Sequence, residues 1–508
     1  MAAPESSALD TVRTRGEAFL RDVSREYYSS HAGLKPAAEL QPIYERHREA
    51  YGDESLELAL DLLKNSAPGS DAHRSGRMLV EWLLESRAGR QLAPLEEREI
   101  AWEGAAMIPL AGGGAEPYRR ASITIANTRD ARERRALDDA RAALVGLELA
   151  PMRQERLSRE KNIIEKMGIA PNYLDTFDTL AGISIRGLRD ECRQFLRDTQ
   201  SMWDEVLPEF LKRGLGITPA EATRADAVAL MRAPEFDAGF PAEAMERSVR
   251  GQVTEMGASP DANGRVRYDT GERAGKRARA FCAPVTIPDE VYLVLRPHGG
   301  QNDWQTLLHE LGHALHFANI DMQLPFEYRW LGDNSITEGY AMLFDHRMKD
   351  RGWLTRYTQL TKTDMPRYLR SAGFEELQFL RRYCAKLIYE VELYGSAVSW
   401  SALPDLYVAT LTDATGFKYQ RSDAFVDVDP RFYSARYLRA WQLQSLLAET
   451  LVDRFNDDWW RNPQAGPWII EQLFSRGQSE LAEEQARRVA NKPLSFAPLV
   501  KAIEGLLT

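Results

Sequence analysis

Apolar positions along most of this chain recur at spacings of three and four, the mark of helices with one buried face. Spans near residues 9–30, 54–65, 77–88, 185–213, 373–395 and 437–456 read this way. From Ala121 to Gly168 apolar residues mix with dense Arg and Glu at helical spacing, interrupted by Pro151, which predicts long amphipathic helices. Strand character gathers in one place, the stretch AFCAPVTIPDEVYLVLRP, where β-branched and aromatic residues stand between prolines. Its run from Val291 to Leu295 reads as a strand ending in a tight loop at Pro297, His298, Gly299 and Gly300. The pattern predicts a mainly α fold with a small β-sheet next to the helix that follows. A boundary near residue 180 divides it into an N-terminal helical region, 1–180, and a remainder, 181–508.

That following helix carries HELGHALH, His309 to His316. A helix turns by about 100° per residue, so His309 and His313 lie about 40° apart on one face with Glu310 beside them. This is the geometry of two zinc ligands with a base next to them. Trp304, Leu307, Leu311, Leu315 and Ala318 cluster on the opposite side, giving the helix an apolar back and an imidazole front. A chance match to HExxH in a surface helix is the plain alternative. Against it, five of the eight histidines (His298, His309, His313, His316 and His346) fall within about a tenth of the chain, a clustering for which a solvated helix has no use.

Two imidazoles leave a catalytic zinc site one protein ligand short. Glu327, Asp333 and Glu338 are the candidates downstream. Glu338 lies in SITEGYAMLFD, which reads as a second buried helix, with Gly339 allowing close approach to another backbone. Ser335 three residues earlier offers it a competing role in an S-x-x-E capping box. With two imidazoles waiting, a helix-borne carboxylate about 25 residues beyond the motif is the better ligand. Asp345, seven residues after Glu338 on the same helical face, either orients a ligand imidazole by accepting its N–H or stands as an exposed charge. His316, two turns beyond His309, reads as a packing residue or a support for the ligands rather than as a ligand.

Composition narrows the class. An apolar content of 44% over 508 residues is that of an ordinary globular protein with a large core. Three scattered cysteines suit neither a disulfide framework nor a thiolate zinc cluster. A net charge of −10 argues against nucleic-acid or anionic-membrane binding, and the basic stretch GERAGKRAR reads as a solvated loop. Charged residues interrupt the N-terminus before a signal-peptide core develops, and no run of 18 apolar residues occurs, so the expected location is cytoplasmic. The glycine-rich AGGGAEP lacks the strand-loop-helix setting of a phosphate cradle.

HELGHALH followed by ITEGYAMLFD, and preceded by GKRARAFCAPVTIPDEVYLVLRPHGGQNDWQTLL, resembles the thimet oligopeptidase and oligoendopeptidase F family of zinc metallopeptidases. The likeness is specific from about 270 to 350 and weaker toward the C-terminus. It implies an ellipsoidal multi-helix fold with a deep substrate channel that admits short unfolded peptides. It implies one zinc ion per chain held by His309, His313 and Glu338, with Glu310 activating the water. The strand holding Tyr292 and Val294, and the loop at Gly299 and Gly300, would line the channel and contact substrate. In DPRFYSARYLRAWQLQ, Asp429 then Pro430 is a helix start, with Tyr433 and Tyr437 at i, i+4 on one face. Tyrosines so spaced are usually core. In that family, and in the related converting enzymes, a comparable helix brings tyrosine hydroxyls over the scissile carbonyl, which implies Tyr437 first and Tyr433 second. The third tyrosine of the thimet pattern is Ala440 here and its upstream histidine is Val428. Arg436 and Arg439 are candidates for a substrate carboxylate.

The expected activity is hydrolysis of peptide bonds in short oligopeptides by a zinc metalloendopeptidase. A metallocarboxypeptidase or dipeptidyl carboxypeptidase of the same broad fold is the alternative within the class, and a non-catalytic peptide-binding scaffold the alternative outside it. The intact Glu310 favours an enzyme, because a structural metal site has no use for a base. Cobalt or manganese could replace zinc with the same ligand types.

Overall fold

The computed structural model describes residues 3–273, 275–277, 279–395 and 397–508, with side chains from residue 8 onward. It is mainly α-helical, with two small sheets. The chain forms two compact units, each discontinuous in sequence. One comprises Met1–Ser86, Pro234–Leu369 and Arg439–Ala502, the other Arg87–Ala233, Arg370–Leu438 and Ile503–Thr508.

In the first unit a long helix α1 (Ala3–His31) opens the chain. The three-stranded sheet, β3 (Val266–Asp269), β4 (Phe281–Thr286) and β5 (Glu290–Val294), has the order β3-β5-β4, with β3 parallel and β4 antiparallel to β5. Helix α2 (Gln301–Ala318) carries the histidine motif, and α3 (Asn334–Asp345) carries Glu338. The back of α2 is the expected one: Trp304, Leu307, Leu311, Leu315 and Ala318 are all buried. Each large side chain among them contributes about 1.5–3 kcal/mol through burial. Together they fix which face of the helix looks outward.

The two helices cross in direct contact, and a glycine allows it. A Cβ built on Gly312 would stand 2.6 Å from Cα of Ala341 and 2.9 Å from the Tyr340 carbonyl oxygen. Gly339, which the sequence suggested for this part, meets the Leu443 side chain instead, 3.0 Å from Cδ2. Helix α3 is capped by Asp333, whose Oδ1 accepts from the Ser335 N–H at 2.9 Å, and Ser335 lies inside the helix. The S-x-x-E capping box therefore does not form, because the cap is Asp333 and not Ser335.

Helix α1 is locked to the same unit by paired charges and a ring stack. Arg13 grips Glu327 (Nη2 to Oε1, 2.6 Å), Arg329 grips Glu17 (Nη2 to Oε2, 2.6 Å), and Tyr28 stacks on Tyr292 at 3.8 Å. Bidentate arginine–carboxylate pairs of this kind fix direction as well as distance.

The second unit holds the hairpin β1 (Met107–Pro109) and β2 (Ala115–Pro117), in which the AGGGAEP glycines form the turn: Gly113 and Gly114 have φ of 88° and 85°. Pro151 does not break its helical stretch. It stands in the first turn of Ala150–Lys166, directly after a π-turn over Val145–Leu149 that carries the helical backbone on from the helix before. The Asp429–Pro430 helix start is a short 3₁₀ turn, Pro430–Phe432, ahead of the tyrosine helix proper, which begins at Tyr433 and runs to Phe455. Among described residues, no helix is long and apolar enough to cross a membrane.

Candidate metal centre

The front of α2 and one face of α3 bring His309, His313 and Glu338 together, each offering one donor atom, with all three atoms within 4.8 Å of one another. Glu338 Oε2 lies 3.3 Å from His309 Nε2 and 3.7 Å from His313 Nε2. A tetrahedral zinc ion with bonds of about 2.0–2.2 Å needs ligand atoms about 3.3–3.6 Å apart. The donor set fits such an ion in both spacing and chemistry. Two imidazoles and one carboxylate are also the ligand number that leaves a coordination position for a substrate.

The far side of each ring is engaged. His309 Nδ1 donates to Asp345 Oδ2 at 2.9 Å, and His313 Nδ1 faces the Thr337 hydroxyl at 2.8 Å. With a metal ion bound and Nδ1 bearing the proton, each ring would offer its Nε2 lone pair to that ion. Asp345 also accepts from His346 Nδ1 at 2.6 Å through its other oxygen. Burial pushes the Asp345 carboxyl up, but His346 and His309 outweigh that and hold it well below its ordinary value. Burial also works against a charged His309, yet its bonds to Asp345 and Glu338 raise the imidazole to about 10. At His313 burial prevails over Glu338, and the ring is held below its ordinary value. His316 points away from the centre among Phe317, Tyr340 and Phe474, where burial, with His313 adding, pushes it down to about 3. It is a neutral packing residue.

Glu310 is held by the backbone of β4: the Cys282 N–H donates to its Oε2 at 2.9 Å. Burial, with the Glu310 charge adding, pushes the Cys282 thiol well above its ordinary range. The N–H of Cys282 points out of the sheet, and β4 is an edge strand, so its outer side faces the helix carrying the histidines. Alternate strand residues present backbone groups to the same side, so Pro284, which has no N–H, shares that outer edge. Strand β5 differs from expectation here. Residues Val291 to Val294 pair with β3 on one side and β4 on the other, which leaves Tyr292 and Val294 no backbone edge for a peptide. Tyr292 is stacked on Tyr28, and Val294 is buried.

The glycine pair is also spent internally. A Cβ on Gly299 would lie 2.9 Å from the Ala242 nitrogen, and one on Gly300 2.9 Å from Asp237 Oδ1; the Gly300 N–H donates to the Phe240 carbonyl at 2.8 Å. These glycines let the loop pack against residues 237–242. Of the other carboxylates weighed as ligands, Glu327 is committed to Arg13 and Asp333 to its helix cap. Arg439 is buried, with Nη1 3.4 Å from Asp333 Oδ2 and a second ion pair to Glu483, so it braces the start of α3. Thr337, His346 and the Cys282 N–H are the participants that sequence reasoning missed. In the sequence His346 stands out only as one of the clustered histidines, and Thr337 only as the residue before Glu338.

Tyr433, Arg436 and Tyr437 belong to the second unit. There the Tyr433 and Tyr437 rings meet edge to face at 5.0 Å, and Tyr383 packs against Tyr437 at 5.6 Å. Arg436 is buried.

No family model matches the chain, and no curated protein does. Among solved structures, one of a Pyrococcus furiosus carboxypeptidase, titled as its apo-Mg form, is similar over 100% of this chain and 99% of that one, with a TM-score of 0.63 and 11% identity. At that identity the likeness concerns the fold.

Proposed function

We propose that this chain is a divalent-metal peptidase that hydrolyses short unfolded peptides, with zinc as the ion and His309, His313 and Glu338 as its ligands. The observation that carries the reading is the convergence of those donor atoms with Glu310 fixed beside them. A divalent ion held there supplies Lewis acidity to the scissile carbonyl and to the attacking water. Glu310 accepts the water's proton and returns it to the departing amine, an exchange worth about 10² to 10⁴ in rate. The Cys282 N–H holds one carboxylate oxygen and leaves Oε1 for that proton. The substrate lies along the outer edge of β4. With the Cys282 N–H taken and Pro284 lacking one, this edge offers mainly carbonyl acceptors, so the peptide pairs through its own N–H groups. Tyr437, seconded by Tyr433, is proposed as hydrogen-bond donor to the developing oxyanion, and Arg436 as a substrate contact.

The assignment within peptidases follows two leads. The motif resemblance favours endopeptidase cleavage; the fold neighbour, a carboxypeptidase by its title, favours removal of C-terminal residues. Peptides capped at one end or the other, digested and read by mass, separate the two. The whole reading is tested by Glu310→Gln, which should bind metal and lose hydrolysis, against Glu338→Ala, which should lose metal. Full activity in the first variant would remove the mechanism, and peptide binding without cleavage by the metal-loaded wild type would make the chain a scaffold.

A further inference from the structure

The tyrosine helix, α5 (Tyr433–Phe455), is entered through a strained corner. Arg431 and Phe432, immediately before Tyr433, both have left-handed backbone angles, φ 60° and 55°. Neither is a residue type that tolerates this region, and two in succession persist only where the surroundings over-determine them. Those surroundings are visible within the second unit. Phe432 is buried, its ring 5.2 Å from Tyr394, and the Arg431 N–H donates to the Tyr173 hydroxyl at 3.2 Å while its Nε donates to Glu160 at 2.8 Å.

The two ends of the corner converge on a single carboxyl group. Glu390 is fully buried on helix α4 (Asp364–Tyr394); its Oε1 accepts the Asp429 N–H at 2.8 Å and its Oε2 accepts the Ser434 hydroxyl. One turn earlier on α4, Lys386 Nζ lies 2.7 Å from Asp429 Oδ2. Asp427, just upstream, is bound by Arg382 and by the Tyr407 hydroxyl, the latter at 2.8 Å. The segment is thus pinned to α4 at several points. Glu390 alone among these groups spans the left-handed pair from one side to the other. A buried ionisable group is costly to keep, and here it leads straight to the edge-to-face pair of Tyr433 and Tyr437.

We propose that Glu390 is a positioning residue: by tying Asp429 to Ser434 across the Arg431–Phe432 corner, it sets the direction in which α5 presents Tyr433 and Tyr437. The inference rests on the reading that Tyr437 serves the reacting carbonyl, and it names the group that aims it.

The test uses the full-length metal-loaded protein and an internally quenched peptide, with Glu390→Ala, Glu390→Gln, Ser434→Ala, Tyr437→Phe and the double variant Glu390→Ala/Tyr437→Phe. Glu390→Ala should lower kcat by roughly 10²-fold, as expected of a misplaced group, with KM and metal content unchanged. Glu390→Gln, which keeps one acceptor and the shape, should recover most of that loss. In the Tyr437→Phe background the alanine change should cost nothing further. Hydrogen exchange on the metal-free protein should show faster exchange at 429–437 in Glu390→Ala, and more weakly in Ser434→Ala, which also serves if the alanine variant at 390 does not fold. A Tyr437→Phe variant with wild-type kcat would sink the tyrosine reading and this one with it. A lowered kcat in Tyr437→Phe together with an additive double variant, or an unaltered kcat in both Glu390→Ala and Ser434→Ala, would overturn the positioning role alone.

Discussion

The main-chain N–H of Cys282 and the carboxylate of Glu310 are joined by a hydrogen bond of 2.9 Å, across 28 residues of sequence. Because the donor is backbone, the side chain at 282 is dispensable to it. Cys282→Ala should keep kcat within about threefold, whereas Glu310→Gln should lose about 10²- to 10⁴-fold if Glu310 is the proton acceptor proposed above. Steady-state kinetics on metal-loaded proteins checks both.

The rings of the two histidines are oriented by partners of unequal strength, a charged carboxylate at Asp345 and a neutral hydroxyl at Thr337. Asp345→Asn should weaken metal binding by about 10- to 100-fold, and Thr337→Val by less. Competition with a chromophoric chelator measures each, and equal losses would contradict the ranking.

At Gly312 a methyl group would meet the backbone of the helix carrying Glu338 at 2.6 Å. Neither backbone can yield without parting the helices. Gly312→Ala should therefore lower thermal stability, by on the order of 1–3 kcal/mol, and reduce metal content at the same time. Calorimetry with metal analysis tests whether the two losses travel together.

If the peptide pairs through its own N–H groups with the carbonyl edge of β4, N-methylation of single peptide bonds should raise KM steeply at one or two positions near the cleavage site. Elsewhere it should have little effect. A flat N-methyl scan would argue against this docking.

Burial pushes the Glu390 carboxyl up to about 8, against the opposing pull of Lys386. A raised carboxyl holds its proton in the folded state over a range where the unfolded chain has released it. Its stabilising protonation is thus present below the ordinary carboxylate range and lost as pH rises toward 8, then constant above. Relative to Glu390→Gln, the wild type should lose Tm between about pH 5 and 8, on the order of a few °C, and run parallel at higher pH.

Periodicity alone exposed much of this architecture. The buried back of α2, the strands at 281–286 and 290–294 and the long helices all follow from local patterns of apolar residues. The same arithmetic put Asp345 on the face of Glu338, and the two do meet one imidazole. What stayed hidden depends on contacts far apart in sequence. The order β3-β5-β4, which buries both edges of β5, has no local signature. Nor does the choice of Asp333 over Ser335 as cap, which is settled by Arg439 and the Ala482 N–H arriving from over a hundred residues away. The Cys282 N–H was invisible because every residue but proline has one.

The contact at Gly312 has a further bearing on how such a centre can change over generations. Imidazoles and carboxylate hang from two rods that touch at a point lacking a side chain, so the spacing of the three donors is dictated by a helix crossing rather than by loops. Insertions and drift elsewhere leave that spacing alone. A lineage can then rewrite nearly all of its remaining surface, while this one hydrogen-only position must stay bare for the centre to survive.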